Sequence, residues 1–152
     1  MRILNTLVIL LLTVEIFGCK QDKPKSVIPE NSEVVSTFPD GKPKLVKIFD
    51  VIQGQKVWVK EIQFHKNGTK SMEGQISNSL REGEWLSWYD DGKVWSKGSF
   101  KKGIRVGHGL VYYPNGQVQI DGYYENGERS GLWKSLDEHG KLISETDYSK
   151  SE

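Results

Sequence analysis

Three histidines, one cysteine and a few adjacent carboxylates are the residues of this chain with chemistry to offer. Metal sites draw their ligands from closely spaced His, Cys, Asp or Glu. His65, His108 and His139 lie far apart, and each falls at a different place in the repeat described below, so they form no ladder of ligands. The pair Asp90-Asp91 sits at a turn corner, where bonding to the local backbone is reason enough for it. Asn67-Gly68-Thr69 has the letters of a glycosylation acceptor, and the Asn-Gly turn accounts for it equally well. No serine occupies a nucleophile elbow, and no glycine series matches a phosphate-cradling loop. The chain therefore reads as a non-enzyme with no catalytic residue, no metal and no cofactor.

The cysteine belongs to a different chemistry. "MRILNTLVILLLTVEIFGC" opens on Arg2, runs apolar from Ile3 and reaches small Gly18 just before Cys19. A positive start, an apolar middle and a small residue at the cut make the layout of a secretory signal. A membrane-spanning helix needs about 20 apolar residues, whereas this run is shorter and broken by Asn5 and Glu15. The ending "IFGC" resembles a bacterial lipobox, with Phe17 a departure from it. That resemblance implies cleavage after residue 18, a diacylglycerol on Cys19 and a membrane-anchored protein of the cell envelope. In Gram-negative lipoproteins the absence of aspartate after the cysteine, here Lys20, implies the outer membrane. With its single cysteine lipidated, the mature chain keeps none for a disulfide or a thiol nucleophile.

What must be positioned, and by what, follows from composition. The 152 residues carry a net charge of +1, with 27% charged side chains of both signs. Nucleic-acid binders gather a basic excess on one face, so that partner is not expected. The chain contains no alanine and 16 glycines, which disfavours helix. Residues 19–37 begin a segment that runs to Lys44 and holds four of the five prolines, so 19–37 reads as an extended tether.

Beyond it the glycines fall in register. Gly68, Gly92, Gly116 and Gly140 are spaced by 24, as are Gly74, Gly98 and Gly122, and Gly83, Gly107 and Gly131. A fixed period in this range marks a repeat architecture. Aromatics keep the frame: Phe64, Trp88 and Tyr112; Phe100, Tyr124 and Tyr148; Trp85 and Trp133 with Gly109 between them. Residues 38–152 are expected to hold five units, the first lengthened near "DVIQGQ" and the last truncated.

Each unit has two turn signals, "YPNG" with its equivalents and "YENG" or "FKKG". Pro39 and Pro114 fit the first corner of a type I turn followed by a left-handed glycine, although a type I′ turn at Asn115-Gly116 satisfies the same letters. Ser79 and Ser151 replace the second-turn glycine and predict looser corners. Two turns per unit leave strands of about eight residues, roughly 26 Å long, in an antiparallel meander. Val118, Ile120, Gly122 and Tyr124 mark one buried face. Gly122 is expected to let an aromatic ring lie over the backbone, with Gly131 in the same role. Trp85 and Trp88, three apart, require either a bulge or aromatics on both faces.

The pattern aromatic-x-[DN]-G, G-x-[FY]-x-x-G and G-x-W resembles the MORN repeat in its bacterial variant, well over residues 64–148 and weakly over 38–63. The resemblance implies an all-β fold, a single elongated antiparallel sheet of stacked hairpins, and a lipoprotein or antitoxin-like role. On this reading the sheet is a protein-interaction platform, with Trp85, Trp88, Tyr112, Tyr113 and Trp133 as candidate anchors. The alternative is contact with lipid headgroups or cell wall through a basic edge of Lys101, Lys102 and Arg105. An exposed terminal strand also offers pairing with another chain, including a second copy.

Overall fold

The computed structural model describes residues 28–149. The expected signal segment and Cys19 lie outside these residues, as do residues 19–27 of the tether and Ser151. Ten strands follow in chain order: β1 (Ser32–Thr37), β2 (Pro43–Ile52), β3 (Gln55–Phe64), β4 (Lys70–Ser77), β5 (Leu80–Trp88), β6 (Val94–Lys101), β7 (Ile104–Tyr112), β8 (Val118–Glu125), β9 (Glu128–Leu136) and β10 (Leu142–Asp147). They form one sheet in sequence order, every neighbouring pair antiparallel. This is the all-β open meander that the 24-residue period predicts.

The sheet starts earlier than residue 38. Ser32–Thr37 pairs with β2 as an edge strand, because Val34 and Val35 favour extended backbone between the breaks at Pro29 and Pro39. The three extra residues of the first unit lengthen its hairpin on both sides of Gln53-Gly54: β2 is two residues longer than β4, and β3 one longer than β5.

The two turn kinds alternate. At Tyr113–Gly116 the Gly116 N–H donates to the Tyr113 carbonyl at 2.9 Å, and the Tyr113 N–H to the Gln117 carbonyl at 2.9 Å. With Gly116 at φ 87° this is a type I turn closed by a glycine bulge, and the type I′ alternative does not occur there. The other ends use tight two-residue turns at Gln53-Gly54, Asn78-Ser79, Lys102-Gly103 and Asn126-Gly127, both residues at positive φ. Asn78-Ser79 is not looser: Ser77 pairs with Leu80 just as Lys101 pairs with Ile104. Asn78 tolerates positive φ, and Ser79 bears the strain at φ 63°.

Each of β5, β7 and β9 carries a glycine at positive φ inside the strand. In β9 the ladder runs Tyr123 with Ser130, then jumps to Asp121 with Lys134, and Gly131 at φ 63° makes that bulge. Nothing lies within 4 Å of a Cβ built on Gly131, so its role is backbone conformation and not the close packing expected of it. Gly122 does serve close packing: an added Cβ would stand 2.3 Å from the Trp133 indole, and Gly74 is covered by Trp85 in the same way. Trp85 and Trp88 face opposite sides, since β5 pairs regularly with β6 from Trp85 to Ser87. Both faces therefore carry aromatics.

Candidate interaction face

Directly opposed residues of an antiparallel pair project from the same face. Ile76 opposes Arg81, Phe100 opposes Arg105, and Tyr124 opposes Arg129. The three arginines stand two residues after the last three of the four tight turns, at a spacing of 24, and Lys56 holds that place after the first. They are the only arginines among the described residues, and all lie on the face of Trp85 and Trp133.

There they interleave with rings. The Arg81 guanidinium lies 4.3 Å from the Trp85 ring centre and 5.3 Å from Phe100. Arg105 lies 4.4 Å from Tyr124 and 6.0 Å from Phe100, and Arg129 lies 4.6 Å from Trp133 and 5.6 Å from Tyr148. A planar guanidinium stacks on a ring and keeps its edge donors free, which an ammonium cannot do. Among the described residues no ion pair joins any of the three to a carboxylate. The ion pairs all use lysine or histidine.

The opposite face behaves differently. There Glu73 holds Lys60 at 3.2 Å and Lys70 at 2.7 Å, and Glu84 holds Lys97 at 2.7 Å. Burial raises the Glu73 pKa, but hydrogen bonds from Lys70 and Lys60 outweigh it and hold the carboxyl below its ordinary value. His108 sits 2.6 Å from Asp121 and stacks on Tyr123. His65 donates through Nε2 to the Trp88 carbonyl at 2.9 Å, and His139 sits in the last wide turn, where its backbone N–H donates to Asp137. Among the described residues no group of three or more His, Cys, Asp or Glu could hold a metal ion.

The candidate anchors divide. Trp85 and Trp133 are only 4% and 7% exposed, with their indole N–H groups donating to the Gln75 and Tyr123 carbonyls at 3.0 Å. They form the floor of the arginine face and offer little ring surface to a partner, because a sheet without a second layer must bury its largest rings against its own glycines. Trp88 lies on the lysine face under Lys70, and the Tyr112 carbonyl accepts from the Tyr89 hydroxyl. Tyr113 donates its hydroxyl to the Leu136 carbonyl at 3.0 Å. The expected basic edge does not assemble. Lys101 and Lys102 remain at the tight turn, where Lys102 N–H bonds the Glu82 carboxylate, while Arg105 leans over the rings. Arg81 and Arg129 escaped sequence reasoning, although their spacing of 24 from Arg105 was a readable signal.

A stacked-hairpin repeat sheet with one arginine-aromatic face is the class of protein this geometry defines. A family model described as MORN repeat variant matches residues 81–102, 105–127 and 129–150, so these three units are similar to that family. The hairpins before residue 81 share the architecture but lie outside the match. No curated protein matches significantly. Among solved structures, a chain of the "Glycosylation Associate Protein (Gap123) complex from Streptococcus agalactiae" is similar at 16% identity and a TM-score of 0.43, covering 72% of this chain and 19% of that one.

Proposed function

We propose that this protein is a non-catalytic, envelope-anchored lipoprotein whose repeat sheet binds a protein partner through its arginine-aromatic face. One observation carries the reading: every arginine of the described residues is displayed on that face without a carboxylate partner, while Lys60, Lys70 and Lys97 opposite are ion-paired with Glu73 and Glu84. Arginine and aromatic residues dominate the energetic centres of protein interfaces. Three guanidiniums stacked on rings without carboxylate partners suit a partner that supplies acceptors to their edges. The MORN-variant match supports a binding role, and an immunity-like or antitoxin-like task is its narrower form. Lipidation at Cys19 would hold the sheet at the membrane, with the outer membrane as its expected address.

The test is mild crosslinking in native membranes of the producing cell, comparing the wild type with Arg81→Glu, Arg129→Glu and Lys97→Glu. A stoichiometric protein should be captured by the wild type and by Lys97→Glu, and lost with either arginine reversal. Capture insensitive to both reversals, or of lipid and cell wall alone, refutes the assignment. Cys19→Ser should release the protein from membranes while preserving its fold.

A further inference from the structure

At two of the three mid-strand glycines spaced by 24, a tryptophan lies over the glycine, Trp85 over Gly74 and Trp133 over Gly122. The middle unit departs from this. At the equivalent position it carries Gly109, and its mid-strand Gly98 is covered instead by the Arg105 side chain, with Nη2 3.1 Å and Nε 3.4 Å from where a Cβ would stand. A cavity of about 210 Å³ opens here, lined by Trp85, Trp95, Phe100, Arg81 and Arg105 among others. Trp95 beside it is 44% exposed. The buried Arg105 Nε has no hydrogen-bond partner, alone among buried side-chain polar atoms of the described residues.

Each feature constrains the occupant. A buried guanidinium donor is left wanting an acceptor, and a carboxylate matches its planar fork with paired N–H donors. Arg81 and Arg105 both line the cavity, and neither has a carboxylate partner among the described residues, so the local charge calls for an anion. The rings of Phe100 and Trp95 present apolar walls that suit the methylenes leading to that anion. The notch is a gap in a continuous sheet face open on one side, which fits a side chain presented by a larger surface better than a free small molecule.

We propose that the notch over Gly98 receives a glutamate or aspartate side chain from an acidic segment of the protein partner, held by Arg105 and flanked by Arg81. This rests on the reading of the arginine face as a protein-docking surface and locates the centre of that surface.

The probe is a capped nine-residue oligoglutamate peptide, with oligoglutamine and anionic phosphatidylglycerol vesicles alongside. The readout is the arginine Nε–H signals in nitrogen-15 spectra of the full chain. Oligoglutamate should move the Arg105 signal saturably and leave Arg129 nearly still. Arg105→Gln and Arg105→Lys should each weaken binding at least tenfold, because a lysine keeps the charge but lacks the fork. Gly109→Trp, which builds the side chain found in the flanking units, should also abolish the response. Circular dichroism checks that the variants fold, and Arg105→Lys decides the matter should Gly109→Trp not. Parallel movement of all arginine signals that vanishes with salt overturns the proposal, as does Arg105→Lys binding like wild type or a response to vesicles alone. Membrane capture that survives Arg105→Gln but is lost with Arg129→Glu would refute the notch and leave the docking face intact.

Discussion

At the residue scale, glycines that look alike in the chain do different work, and substitution separates them. Gly122 lies 2.3 Å beneath the Trp133 indole when a Cβ is added, whereas Gly98 meets only the movable end of Arg105 at 3.1 Å. Gly122→Ala should therefore cost about 1–3 kcal/mol as an overpacked site, while Gly98→Ala costs clearly less, as urea denaturation would show. Gly131→Ala acts by another route, forcing a Cβ into φ 63° with free space around it. About 1–2 kcal/mol is expected there, and Gly131→Asn should recover part of it, since asparagine visits the left-handed region. The period of 24 exposed all three series, and the tasks of Gly116 and Gly122 were readable, but that of Gly131 was not before pairing was known. A left-handed glycine in a strand and a glycine under a ring leave the same letter.

At the scale of elements, successive hairpins are fastened through their wide turns. Tyr89 donates its hydroxyl to the Tyr112 carbonyl at 2.7 Å, Tyr113 to the Leu136 carbonyl at 3.0 Å, and His65 occupies the same place with a ring nitrogen. Asn67 and Asn115 repeat the pattern, reaching the Asp90 and Glu138 carbonyls. Tyr113→Phe should cost about 0.5–1.5 kcal/mol and speed amide exchange at Gly116 and Gly140 before the β4 to β5 region is affected. The last wide turn is also acid-sensitive. The Lys141 and His139 backbone N–H groups hold Asp137 below the ordinary carboxylate range. A carboxyl with a depressed folded pKa contributes stability above its unfolded pKa, and loses it as pH falls through the depressed folded value. Exchange at the Lys141 amide should accelerate as pH drops below the ordinary aspartate range, and Asp137→Asn should remove that dependence.

For the whole molecule, strands make substantial contact only with their sequence neighbours, so stability is the sum of unit and interface contributions. Deleting residues 93–116 joins Gly92 to Gln117 in phase, removes β6 and β7, and should leave a shorter folded sheet. Its urea m-value should fall by about a fifth, in step with the surface lost. A collapse to the unfolded chain would show that the middle unit nucleates the rest.

The sequence alone determined the period, the strand order and the two turn kinds, because turns and alternation are local and each unit repeats the same local conditions. It also held the arginine spacing, two residues past three of the four tight turns, which went unread because charge was weighed by cluster and not by register. Tertiary structure alone decided which rings are floor and which residues are surface. Trp85 and Trp133 are buried only because the bulge beside each lays the indole over a glycine of the neighbouring strand. It alone brought Arg105 to Gly98 across the β6 to β7 pair, since where a long side chain rests depends on what the adjacent strand leaves uncovered, and at Gly109 that is the space a tryptophan fills in the units on either side.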